Sequence, residues 1–180
     1  MRMHGFGYDM VSDNYKVVAV FDVDDNNCTF SNEVEVHTLG TNSWKSIPAF
    51  PYGVSSVQQS GQCVSGAINW LVYNDVRKSR CFIVSLDLRN ESYEEVLMPD
   101  YDEGDRTTLQ LSVFRYSLCF ISGEDVWIMK EYGNKESWTK LFTISLMGGP
   151  PRPSYSCVHT IHIFENDQVL LEYLEGYRSS

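Results

Sequence analysis

The stretch Asp125-Val126-Trp127-Ile128-Met129-Lys130-Glu131-Tyr132-Gly133-Asn134-Lys135-Glu136-Ser137-Trp138-Thr139-Lys140-Leu141-Phe142 decides how this chain is read. Two runs rich in β-branched and aromatic residues, Val126 to Lys130 and Ser137 to Ile144, flank a polar segment containing Gly133 and Asn134. That is the signature of an antiparallel hairpin closed by a short turn. It occurs twice more. Val34 to Ile47 carries Ser43-Trp44 where this hairpin carries Ser137-Trp138, and Ile83 to Val96 carries Ser92-Tyr93. The Ser-aromatic pairs are 49 and 45 residues apart, and an all-β repeat of that length marks a propeller array.

A second kind of hairpin alternates with the first. Gly5 to Phe21 has its polar turn at Ser12-Asp13-Asn14, and similar turns fall at Ser65-Gly66, Arg115-Tyr116 and Asn166-Asp167. Taking 13, 66, 116 and 167 as markers, the spacings are 53, 50 and 51 residues. Two interleaved series with one period disfavour an ordinary β-sandwich whose repeat is accidental. With the strands of each unit named a to d, the units run from 5 to 48, 60 to 99 and 109 to 147, followed by strands a and b from 158 to 175. The fold class predicted is therefore all-β, a partial, kelch-like β-propeller of about three and a half four-stranded antiparallel blades. One blade cannot bury both of its apolar faces, and closed rings have about four to eight blades. Residues 1–180 are thus expected to form a propeller domain incomplete at both ends, a fragment or truncated gene product.

The composition agrees with a folded core, since 43% of the 180 residues are hydrophobic and 13% aromatic. No linker or low-complexity tract suggests a domain boundary. Neither a signal peptide nor a run of eighteen apolar residues occurs, so a soluble protein of the cytoplasm or nucleus, without a membrane partner, is expected. The five cysteines, Cys28, Cys63, Cys81, Cys119 and Cys157, are odd in number and widely spaced, which reads as free thiols in a reducing compartment. A net charge of −10 with scattered Lys and Arg argues against a nucleic-acid partner.

Taken in order, Gly5-Phe6-Gly7-Tyr8-Asp9, Asp13-Asn14-Tyr15-Lys16-Val17-Val18, Ser43-Trp44-Lys45-Ser46-Ile47, Ser65-Gly66-Ala67-Ile68-Asn69-Trp70-Leu71, Phe82 to Leu88 ending at Leu97-Met98-Pro99, and Asp125 to Gly133 with Glu136 to Lys140 resemble the type 1 F-box-associated domain of plant F-box proteins. The resemblance covers nearly the whole chain. It implies a non-catalytic protein-interaction module that presents a protein substrate within an SCF-type ubiquitin ligase. A Skp1-like adaptor would be bound through an F-box, and the helical Leu-Pro-rich segment of an F-box does not precede Gly5 in this sequence. The alternatives are a carbohydrate- or ligand-binding propeller without ligase connection, or a non-functional truncated product.

Searching for chemistry supports a non-enzyme without cofactors or metal. Asp22 to Glu33 places carboxylates and amides at several positions of a calcium loop, but Asn27 stands where Gly is needed and β-runs replace the flanking helices, so an acidic b–c loop is expected. His159 and His162 are three apart in a predicted strand and face opposite sides. No nucleophile elbow and no phosphate-cradling loop occurs. Recognition is expected on the long b–c and d–a loops, with the short turns at the opposite end. The candidate partner-binding residues there are the aromatics Phe50 and Tyr52, expected to be exposed, the charged run Asp100, Tyr101, Asp102, Glu103, Asp105 and Arg106, and Arg152 among prolines. An acidic rim with aromatic anchors fits a basic protein partner. Trp44, Trp70, Trp127 and Trp138, with Tyr93, recur about once per blade and are read as packing between sheets. Replacing Trp138 with Ala is accordingly expected to cost about 3–5 kcal/mol, seen as a lowered urea midpoint; an unchanged midpoint would refute the repeat assignment.

Overall fold

Strands of three to eleven residues, punctuated by turns with left-handed backbone, leave antiparallel pairing as the way to satisfy the main chain. The computed structural model describes residues 2–24, 30–51, 56–73, 81–101, 109–144, 157–163 and 169–174. Blade 1 contains β1 (Met3–Asp9), β2 (Asn14–Asp24), β3 (Phe30–Thr38) and β4 (Trp44–Ile47). Blade 2 contains β5 (Gln62–Val64), β6 (Ala67–Tyr73), β7 (Cys81–Asp87) and β8 (Ser92–Val96), and blade 3 contains β9 (Leu109–Phe114), β10 (Ser117–Ser122), β11 (Asp125–Met129) and β12 (Trp138–Thr143). Each is a four-stranded antiparallel sheet in sequence order, and β13 (Cys157–Ile163) pairs with β14 (Val169–Leu174). The all-β reading and its blade boundaries hold to within a few residues. Two compact units emerge, Met1–Met98 and Pro99–Ser180.

Turn chemistry explains the closures. Ser65-Gly66 joins β5 to β6 with φ of 53° and 77°, and Arg115-Tyr116 joins β9 to β10 with φ of 48° and 65°. Two consecutive left-handed residues match the right-handed twist of the flanking strands. The Asp125–Phe142 hairpin forms strands c and d of blade 3, as the repeat required. Its connection is tied internally: Glu131 N–H donates to Ser137 Oγ (3.0 Å), Ser137 Oγ donates to Glu131 O (2.9 Å), and Asn134 Nδ2 donates to Glu131 Oε2 (2.9 Å). A 3-10 turn at Lys135–Ser137 leads into β12, and the pairing shifts by one residue between Val126 and Trp127.

Within the first unit, the core lies between blades 1 and 2. Met3, Val18, Val20, Val34 and Val36 of blade 1 meet Ile68, Trp70, Val72, Val84 and Leu86 of blade 2, with Phe50 and Leu88 completing the cluster. Close approach of β1 makes this possible. An added Cβ at Gly5 would stand 2.5 Å from Ile68 Cγ2 and 3.0 Å from Trp70 Cζ2; one at Gly7 would stand 2.7 Å from both Cys63 Sγ and Leu88 Cδ1. The inner edges are also hydrogen-bonded, since His4 O accepts from Gly61 N–H (2.8 Å) and from Trp70 Nε1–H (3.0 Å), while His4 N–H donates to Gln59 O (2.9 Å). In the second unit, Phe114, Cys119, Ile121 and Val126 form a smaller core with Ile128, Phe142 and Ile144 packed against it.

Trp70 and Trp138 are buried as packing residues, but Trp44 is not. It is 48% exposed, because the β3–β4 register sets it opposite His37 on the side of blade 1 away from blade 2, the side that its counterpart Tyr93 in blade 2 turns toward blade 1. Gly5→Ala, which forces a methyl group into Ile68 and Trp70, is expected to cost about 1–3 kcal/mol in urea unfolding, while Trp44→Ala stays within about 0.5 kcal/mol.

Candidate functional site

Three of the nine residues expected on the recognition loops fall among the described residues. Phe50 is 4% exposed, which corrects its expected role as an exposed anchor. After β4 the chain drops back so that the Phe50 ring meets Trp70 edge-on (centroids 5.9 Å apart) and Tyr93 likewise (5.5 Å). Asn32 on β3 holds the Phe50 backbone from both sides, accepting from its N–H at 2.7 Å and donating to its carbonyl at 3.1 Å. Tyr101 lies 51 residues after Phe50 and Phe120 lies 50 after Trp70. The same contact recurs there: Tyr101 is half-buried, with its ring tilted edge-on to Phe120 at 4.9 Å. Both aromatics are therefore pins that the connection drives into the following blade. Asp100 remains at the surface, its side chain 95% exposed and 3.0 Å from Lys135 Nζ. Tyr52, Asp102, Glu103, Asp105, Arg106 and Arg152 lie outside the described residues, as does the centre of the acidic Asp22–Glu33 segment, whose flanks are strands.

The described residues offer a different surface, one the sequence reading missed. In β1 the glycines alternate with His4, Phe6 and Tyr8, so when Gly5 and Gly7 face blade 2 the larger side chains face the other way. Tyr8 pairs across the strands with Tyr15, Phe6 with Val17, Val17 with His37, and His37 with Trp44. Phe6 (53% exposed) and Tyr15 (49%) stack with centroids 5.2 Å apart and planes 3° apart, and Tyr8 (37%) tilts against Tyr15 at 5.1 Å. Trp44 packs on His37 at 5.1 Å, and the His37 ring is oriented through Nδ1, 3.1 Å from Ser43 O. One sheet face thus carries four exposed aromatic rings. The signal was available in the Gly-Phe-Gly-Tyr alternation, where one residue type serves close packing against blade 2 and the other faces the opposite side.

A polar network fixes the end of this face. Asp9 accepts from Val11 N–H (2.9 Å), Ser12 Oγ (2.7 Å) and Lys16 Nζ (3.0 Å), closing the β1–β2 turn. Lys16 then donates across to Leu88 O of blade 2 at 2.6 Å, with Glu91 at 4.0 Å, and Glu91 is shared with Lys45 at 2.5 Å. The Tyr8 hydroxyl donates to Asp13, and this bond to a carboxylate pushes the Tyr8 phenol up. Burial works to raise the Asp9 carboxyl, but the bonds from Ser12, Lys16 and the Val11 amide outweigh it and hold it down to about 2. In blade 3, Lys140 and Thr143 both hold Asp125, whose carboxyl is likewise lowered, first by the Lys140 bond. Burial pushes the Cys119 thiol up to about 12 and raises Cys63 as well, so neither is an activated thiolate.

A family described as "F-box associated beta propeller domain" matches residues 1–174. The chain belongs to this family. An F-box/kelch-repeat protein of Arabidopsis thaliana is 31% identical over 180 residues, covering 96% of this chain and 46% of the relative. The F-box protein CPR1 of the same plant is 33% identical, covering 78% of this chain and 40% of its own length, and another Arabidopsis F-box protein is 27% identical, covering 94% and 49%. The chain spans less than half the length of these relatives. As an F-box associated domain it is an all-β, partial propeller of about three blades, and the sheets above are its blades. Among the described residues, no helix is long and apolar enough to cross a membrane.

The Asp9 network has a pH signature. Its folded-state value, about 2, lies below the ordinary 3.8, so its stabilisation is complete above about pH 4 and is lost as pH falls through 2. Asp9→Asn is expected to flatten the loss of the urea midpoint over that window and, by stranding buried Lys16, to lower stability at pH 7 by about 2 kcal/mol.

Proposed function

We propose that residues 1–180 act as the substrate-presenting part of an SCF-type ubiquitin ligase, a non-catalytic protein-recognition domain whose Skp1-like adaptor is engaged through an F-box segment. The observation that carries this reading is family membership along residues 1–174, together with relatives that are F-box proteins. The geometry suits the role: blades 1 and 2 interlock within the first unit, and such a packed frame holds a recognition surface at little cost in ordering entropy. In this reading Tyr52, Asp100, Asp102, Glu103, Asp105, Arg106 and Arg152 belong to partner-facing loops, with Phe50 and Tyr101 supporting those loops from beneath. The domain would work in the cytoplasm or nucleus, where the adaptor and free thiols coexist.

The test uses residues 1–180 joined behind the F-box of a relative, expressed in plant cells with a proteasome inhibitor. The fused form is expected to co-purify with the adaptor and with a protein whose ubiquitin conjugates disappear when residues 1–180 are removed. If the same conjugates persist with the F-box alone, the substrate-presenting role is wrong.

A further inference from the structure

The a–b turns of blades 2 and 3 occupy one position in the repeat but differ in kind. Blade 2 closes β5–β6 with Ser65-Gly66 at φ of 53° and 77°, and glycine adopts the second of these angles without strain. Blade 3 closes β9–β10 at φ of 48° and 65° with Arg115-Tyr116, two bulky residues in the left-handed region. Large side chains are disfavoured there, so this turn is less stable than the turn glycine would make. Packing does not offset the strain, since Tyr116 is 94% exposed. The tip is nevertheless well held. Ser117 pairs with Phe114 at its root, Phe114 and Leu118 are buried, and the Arg115 guanidinium lies over the Phe114 ring, 4.9 Å from its centroid.

Exposure of an a–b tip does not depend on which blades flank it. In the first unit, Met10 and Val11 of the β1–β2 turn are exposed with blade 2 packed against their sheet, and Ser65 is exposed with blade 1 packed against its own. A following blade and a preceding blade both leave the tip in solvent.

A tyrosine ring on a fixed tip offers a large apolar surface with few rotatable bonds, which is the chemistry of an interface anchor. Whatever covers the ring also meets Arg115 beside it. A guanidinium keeps N–H donors along its edge while its face lies on a ring, and covering them without acceptors costs free energy. A carboxylate accepts from two of them side by side. The c–d connection at the same end of blade 3 carries Lys130 and Lys135 against Glu131 and Glu136, so Arg115 sets the sign next to the ring.

We propose that the β9–β10 turn of blade 3 is a docking tip for an acidic segment of a partner protein, with Tyr116 entering an apolar depression and Arg115, steadied on Phe114, donating to a carboxylate at its rim. This rests on the protein-recognition reading above and adds the short-turn end of blade 3 to the long loops. The strained turn is the structural counterpart of that role: it holds the ring and the guanidinium outward at the expense of stability.

Stability and binding are therefore expected to move in opposite directions. Tyr116→Gly relieves the left-handed strain and removes an exposed ring, so the urea midpoint of the full 180-residue chain should rise by about 0.2–0.5 M. A midpoint that falls assigns the ring to packing and overturns the proposal. The binding probes are three synthetic peptides of equal length, a central Leu pair flanked by Glu, Lys or Ser, titrated by calorimetry at about 0.15 M salt to screen the domain's more distant carboxylates. The Glu peptide is expected to bind about tenfold tighter than the Lys peptide and about threefold tighter than the Ser peptide. Tyr116→Gly and Arg115→Asn should each weaken Glu-peptide binding about three- to tenfold with unchanged circular dichroism, whereas Glu94→Gln on β8 should leave it unchanged. No Glu-peptide binding at millimolar concentration, Lys-peptide binding as tight as that of the Glu peptide, or binding indifferent to both tip variants overturns the proposal. Because no ligase component is present, failure here leaves the ubiquitylation result standing, and failure of that assay leaves the peptide result standing.

Discussion

Trp70 can be wholly buried because β1 approaches it where no side chain stands. Gly5 lies over the indole and Ile68, Gly61 closes on the same pair from just before β5, and His4 O takes the indole N–H that burial would otherwise leave unpaired. Steric permission and hydrogen-bond satisfaction meet at one ring. The valines of blade 1 and the β6 and β7 side chains of blade 2 depend on this approach, since a sheet held one methyl group farther away would leave gaps that neither side could fill. The glycines that weaken β1 as an isolated strand are what make the two-blade unit possible.

Repetition then transmits a packing rule along the chain. Phe50 on Trp70 and Tyr101 on Phe120 are one contact used twice at the blade period, although the four residues share only their aromatic character. The connection between two blades is therefore partly a structural member. Its first residues anchor the following sheet from its b strand, and Asn32 gives Phe50 a backbone clamp that removes the freedom an ordinary loop keeps. Any recognition loop carried on such a connection starts from a fixed stem, which limits the entropy lost when it binds.

The period, the blade boundaries and the hairpin order were legible because they rest on local chemistry: turn residues at fixed offsets and strands of matching length. Phe50 was misread because its burial is decided by Trp70 twenty residues ahead and Asn32 eighteen behind, while its own neighbours Pro48 and Pro51 look like a surface loop. Trp44 and Trp138 begin the fourth strand of their blades with the same Ser-Trp motif, yet one is exposed and the other buried. Strand pattern specifies which residues share a face. Whether a neighbouring sheet covers that face is a tertiary fact the pattern does not contain. The aromatic face of blade 1 was half-visible: Phe6 and Tyr8 against Gly5 and Gly7 announce two unlike sides, and only the position of blade 2 tells which of them it covers.

Two ion pairs with the same 3.0 Å separation show how burial governs consequence. Asp100 and Lys135 meet in water, where Coulomb attraction is weak and ordering two long side chains offsets most of it. Asp9 and Lys16 meet out of water, and each has further partners: a hydroxyl and an amide for the carboxylate, a carbonyl of the next blade for the ammonium. Desolvation there would cost more than the pair returns if those partners were absent. The network is therefore stable only when the β1–β2 turn and the Leu88–Glu91 turn are both in place, which makes it a coupling between blades as well as a bond within one.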